Sequence, residues 1–98
     1  MDIKKINNEK ELTIILEGRL DTSTSPELEA ELTESLDGIT SLVFDFAKLE
    51  YISSAGLRVL LSAQKTMNKQ GEMVVKNVSS EILEIFEVTG FSDILNIK

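Results

Sequence analysis

The residues best placed to carry chemistry are Ser53, Ser54, Ala55, Gly56 and Arg58, in the run Tyr51-Ile52-Ser53-Ser54-Ala55-Gly56-Leu57-Arg58, where a strand-like stretch gives way to helical spacing. A helix N-terminus presents unbonded amides and the positive end of the helix dipole. A phosphate on a serine there gains a few tenths to about 1 kcal/mol when exposed, so such a serine is suited to be a phospho-acceptor. Arg58 follows Ser54 by one helical turn, where its guanidinium could reach a phosphate on Ser54. Gly56, without a side chain, lets a neighbouring backbone or a docking partner come close. A plainer reading makes Ser53 an N-cap, Ser54 and Ala55 fill of the first turn, and Gly56 a packing residue. A glycine in a first turn nevertheless costs up to about 1 kcal/mol relative to alanine and asks for a reason.

A second polar cluster is Gly18-Arg19-Leu20-Asp21-Thr22-Ser23-Thr24. Asp21 becomes a site carboxylate beside Ser53 to Gly56 if the strands before the two clusters are neighbours. Alone it reads equally as an Asx-turn or cap residue. Asp45, inside a strand-like run, is expected to face solvent at a sheet edge, and Glu27, Glu31, Glu81 and Glu84 are spaced like solvated helix faces.

What the chain lacks narrows the chemistry further. Its 98 residues hold no His and no Cys, and ten Lys or Arg against seventeen Asp or Glu give a net charge of -7. Ser-His-Asp and Cys-His catalysis, thiolate or imidazole metal sites and disulfides are thereby excluded. No Walker loop, dinucleotide fingerprint or nucleophile elbow occurs, so no cofactor, no metal and no enzymatic activity of its own are expected. An acidic surface without a Lys/Arg patch argues against nucleic acid and anionic membranes and in favour of a protein partner. No apolar run approaches the roughly 18 residues of a membrane span, which points to a cytoplasmic location, and the free chain is expected to be a monomer.

These residues must be positioned by strands and helices. Ile3 and Ile6, then Leu12, Ile14 and Leu16 at a period of two, read as two strands, with a hairpin turn at Asn7-Asn8-Glu9-Lys10 between them. Ser25-Pro26-Glu27 opens a helix with Ser25 as its cap, Leu28, Leu32 and Leu36 as its core stripe and Gly38 as a left-handed C-cap. Ser41 to Phe46 is a strand with Leu42, Phe44 and Phe46 inward, and its near-continuous apolarity suits cover on both faces. Ser54 to about Gln70 is a helix burying Leu57, Leu60, Leu61 and Met67, ended by Gly71. Glu72 to Lys76 is a further strand. Ser79-Ser80-Glu81 opens a last helix carrying Ile82, Ile85 and Phe86 up to Gly90, followed by an apolar tail with Phe91, Ile94 and Leu95. The expected fold is a single α/β domain over residues 1–98, whose mixed sheet begins with an antiparallel hairpin, continues with parallel strands and is packed by helices.

Taken together, these motifs resemble the STAS family, and within it the stand-alone bacterial anti-sigma factor antagonists. Glu17-Gly18-Arg19-Leu20-Asp21 resembles the family's G-x-[LI]-D element, Ser41 to Phe46 its central strand, and Tyr51 to Leu60 its signature loop and helix. Gly71-Glu72-Met73 and Val88-Thr89-Gly90-Phe91 match its later elements. The resemblance implies that an anti-sigma factor which is also a serine kinase phosphorylates the serine at the helix start. It further implies that only the unphosphorylated form binds that kinase, releasing sigma factor, and that a PP2C-type phosphatase resets the serine. The acceptor then falls on Ser54, and the first-loop aspartate on Asp21. The family pattern is Asp-Ser-Ser/Thr-Gly, whereas this chain has Ser53-Ser54-Ala55-Gly56, which makes Ser53 a rival acceptor. The expected partner surface comprises Asp21, Thr22, Ser23, Ser53, Ser54, Ala55, Gly56 and Arg58.

Two rivals lie outside this reading. A phosphopantetheine carrier would be acidic and of this size, but all-helical with Asp-Ser-Leu at its attachment point. A STAS docking subunit of a transporter or other signalling complex would share the fold without a phosphorylation cycle.

Overall fold

Alternation at a period of two sets the sheet. The computed structural model describes residues 1–98 and has four strands in the order β1-β2-β3-β4. These are β1 (Asp2–Asn8), β2 (Glu11–Leu20), β3 (Ser41–Ile52) and β4 (Glu72–Lys76). β1 and β2 form the antiparallel hairpin, and β2, β3 and β4 run parallel. Leu12, Ile14, Leu16, Leu42, Phe44, Phe46, Met73 and Val75 all point to one face and are buried. Three helices cover that face: α1 (Ser25–Ser35), α2 (Ser54–Gln70) and α3 (Ser80–Thr89). Leu28 and Leu32 of α1, Leu57 and Leu60 of α2, and Ile82 and Phe86 of α3 join the sheet residues in one apolar cluster. Phe86 reaches the central strand, its ring centroid 6.5 Å from that of Phe46.

The expected α/β class, the mixed sheet and the three helices are all present. Several local expectations are corrected. Ser25 does not cap α1: it is buried, and its hydroxyl donates to the Asp21 carbonyl. Thr24 takes the cap position, but its side chain makes no bond to the helix amides. Helix α1 stops at Ser35, and Gly38 adopts its left-handed φ of 79° in the turn beyond rather than at the cap. Gly71 caps α2 at an extended φ of 171°, so a left-handed turn is not its reason. A Cβ there would overlap the Thr40 carbonyl. Leu61 is only half buried, whereas Val59 and Ala63 complete the inner face of α2.

Strand β3 runs six residues past Phe46. Its alternation breaks twice, where Ala47-Lys48 and Glu50-Tyr51 are exposed in succession and the register with β2 shifts. Each shift fits one extra residue bulging from the strand. The strand is covered on one face only, because Val43 and Asp45 face away from the helices. Asp45 is also not at an edge: β3 is interior, and the carboxylate accepts from Asn77 Nδ2 at 3.0 Å and the Ala47 amide at 3.0 Å.

Candidate functional site

The parallel pairing of β2 with β3 settles whether the two polar clusters meet. Leu20 and Ile52 are register partners at the strands' C-terminal ends, and the Ser53 amide donates to the Leu20 carbonyl at 2.9 Å. The loop after β2 and the start of α2 therefore emerge side by side, at the end of a parallel sheet where α/β folds place their sites.

The first loop is built around one carboxylate. Asp21 Oδ1 accepts from the Ser23 amide at 3.0 Å, the Ser23 hydroxyl at 2.8 Å and the Thr24 amide at 3.1 Å. The Thr24 hydroxyl accepts from the Asp21 amide at 2.9 Å and lies 2.8 Å from the Arg19 carbonyl. The Ser25 amide closes the turn on the Asp21 carbonyl at 2.8 Å. This is the Asx-turn reading realised, and it leaves Asp21 Oδ2 outside the turn. The Ser23 hydroxyl first, then the Thr24 amide, hold the Asp21 carboxyl below the usual carboxylate range, so the group stays ionised.

The second element carries far fewer bonds. Ser53 is the N-cap of α2 in extended backbone, its Oγ accepting from the Gly56 amide at a long 3.4 Å. Ser54, the first helical residue, is exposed, and the first turn holds no acidic side chain. Gly56 is buried, and a Cβ on it would come within 2.8 Å of Leu20 Cγ and 2.9 Å of Ile52 Cγ1. It contributes no open surface. Its bare backbone instead lets the helix start sit directly on the two strand ends.

The remaining expected residues divide. Thr22, Ala55 and Arg58 line a cavity of about 330 Å³ between α1 and α2, together with Pro26, Glu29 and Ser62. Ser23 stays tied to its own loop, and Ser54 stands outside the cavity. Two residues absent from the expected surface belong beside it. Arg19 and Tyr51 are register partners, with the guanidinium carbon 4.3 Å from the Tyr51 ring centroid, and Arg19 Nε lies 3.9 Å from Asp21 Oδ2. The available signal was that both precede an inward residue, Leu20 and Ile52, and so point outward. Pairing them required the bulged register.

Comparison with known proteins bears on this arrangement. The STAS domain family model matches residues 1–98. A Bordetella bronchiseptica protein provisionally named anti-sigma factor antagonist BtrV is 40% identical over 85 residues, covering 85% of this chain and 73% of that protein. The anti-sigma-B factor antagonist of Listeria monocytogenes is 33% identical over 90 residues, covering 89% and 78%. Among solved structures, a protein of Thermotoga maritima provisionally named an anti-sigma factor antagonist superposes with a TM-score of 0.89 at 12% identity, over 97% of this chain and 84% of that one. The Bacillus cell fate determinant SpoIIAA in its phosphorylated form gives 0.77 at 17%, over 99% and 91%. A sulfate transporter family protein of Wolinella succinogenes gives 0.78 at 16%, over 94% and 76%. At such identities the three superpositions establish the fold.

Proposed function

The chain belongs to the STAS domain family, in its anti-sigma factor antagonist branch, and on that premise we propose that it is a binding module switched by phosphorylation of Ser54. In the unphosphorylated form it docks on an anti-sigma factor serine kinase through Asp21, Thr22, Ser23, Ser53, Ser54, Ala55 and Arg58, and sigma factor is released. The observation that carries the reading is the division of labour between the two serines. Ser53 Oγ is engaged as the helix cap, while Ser54 presents an exposed hydroxyl at the first helical position.

The chemistry balances simply. The kinase transfers the γ-phosphoryl of ATP to Ser54 Oγ, ADP leaves, and the hydroxyl proton passes to the kinase's base. A PP2C-type phosphatase adds water across the P–O bond, restoring the hydroxyl and releasing inorganic phosphate. Phosphorylation adds a charge of about -1.5 to -2. The unbonded amides of the first turn of α2 tolerate that charge in the free domain. A docking partner must desolvate it beside the ionised Asp21, which costs several kcal/mol, enough to lower affinity by orders of magnitude.

The test is incubation with the cognate kinase and MgATP followed by intact-mass spectrometry. One phosphoryl group is expected on the wild-type chain and on Ser53→Ala, and none on Ser54→Ala. Undiminished labelling of Ser54→Ala would move the acceptor elsewhere.

A further inference from the structure

The sheet face opposite the helices has no cover, and a mainly apolar row of side chains crosses its middle. Parallel strands are normally packed on both sides, because a βαβ sheet buries both. Here β2, β3 and β4 are parallel, yet all three helices lie on one side. The register places Ile6, Thr13, Val43 and Val74 in one row across all four strands of the bare face, with Ile15 next to it. Ile6 is 56% exposed, and Thr13, Ile15, Val43 and Val74 are half-buried.

We propose that this face mediates self-association, two copies of the chain packing sheet to sheet about a two-fold axis that runs across the strands along the apolar row. The flanking rows select a second copy as the occupant. On one side of the apolar row lie Asn8, Glu11, Ser41 and Glu72, and on the other Lys4, Ile15, Asp45 and Lys76. A two-fold along the middle row lays each of Ile6, Thr13, Val43 and Val74 on its own counterpart and exchanges the flanks. Glu72 then meets Lys76 of the second copy, twice by symmetry, while Ser41 meets Asp45 and Asn8 meets Lys4. Glu11, opposite Ile15, lies near the strand end, where its long side chain keeps the carboxylate in water. Four strands at the usual spacing give a face of about 19 by 20 Å, so the pair buries on the order of 1,000 Å², at the lower limit of specific interfaces. The association is accordingly weak and concentration-dependent, with a dissociation constant on the order of 100 µM. The inference does not rest on the phosphorylation reading.

Sedimentation equilibrium of the wild-type chain between about 10 µM and 1 mM is the test. A monomer–dimer equilibrium is expected, weakened about tenfold or more by Val43→Lys. Glu72→Lys and Lys76→Glu each place like charges opposite one another and weaken it several-fold, and the double exchange restores it. Circular dichroism of each variant checks that the fold persists. A monomer throughout the concentration range overturns the proposal and leaves the face to a different partner or none. A dimer indifferent to Val43→Lys, or a double exchange no better than either single one, overturns the geometry.

Discussion

The loop after β2 and the start of α2 lie side by side and are held in opposite ways. The loop is polar and self-satisfied, with donors from Ser23 and Thr24 on Asp21 Oδ1 and the Thr24 hydroxyl locked to the loop backbone. The helix start has one long cap bond above and apolar packing below, where Gly56 rests on Leu20 and Ile52. A hydrogen-bonded turn fixes a charge in place but leaves little of that oxygen for a partner. A helix start held from beneath keeps its outer surface free. On the phosphorylation reading, the first region supplies a constant negative charge and the second a hydroxyl whose charge can change.

The largest effect should come from altering the variable region directly. Ser54→Asp puts a permanent charge at the exposed position, and affinity for the unphosphorylated-form partner should fall by about tenfold to a hundredfold, read by calorimetry with the purified kinase. Thr22→Asp, placed on the fixed region's exposed turn, should weaken binding less. Equal losses would erase the distinction between the regions.

Next in size is the support beneath the helix start. Gly56→Ala forces a methyl against Leu20 and Ile52, and overpacking of about 1–3 kcal/mol outweighs the gain of up to 1 kcal/mol in helix propensity. A net loss of about 1 to 2 kcal/mol is expected in urea unfolding, together with slower phosphorylation of Ser54. Unchanged stability would mean that the strand ends do not hold the helix. Ser53→Ala should cost less, about 0.5–1 kcal/mol, because a cap bond of 3.4 Å lies at the weak end of its class.

Much of this was readable from residue order, and the misses have physical causes. Helix α2 and strand β4 fall where periodicity put them, and Gly90 stops α3 with a left-handed φ of 81°. Period and punctuation are local properties. The second half of β3 was not readable, because each bulge adds a residue that destroys alternation without leaving a turn signal. Asp45 was misplaced at an edge because strand order is a tertiary fact that no single strand encodes. At the site, Asp21 and Ser54 stood out by residue type. The Arg19–Tyr51 pair did not, since it exists only through a shifted cross-strand register.

The smallest expected effect isolates the fixed region by pH. The Asp21 carboxyl is depressed by the Ser23 hydroxyl and the Thr24 amide in the folded chain. Its folded value therefore lies below its unfolded one, near 3.8. A depressed carboxyl contributes stability that is present above the unfolded value and lost as pH falls through the folded value. Asp21→Asn abolishes that dependence while keeping an oxygen that can accept from Ser23 and Thr24. Unfolding midpoints measured from pH 6 down to about 2 should thus fall less steeply below pH 4 for Asp21→Asn than for wild type. Asp45, depressed chiefly by Asn77, contributes a slope of the same sign in both proteins. Parallel curves for the two would show that the loop's hydrogen bonds do not distinguish a carboxylate from its amide. In that case the turn would be held by shape alone, and the contrast between a charge-centred loop and a packing-held helix start would be lost.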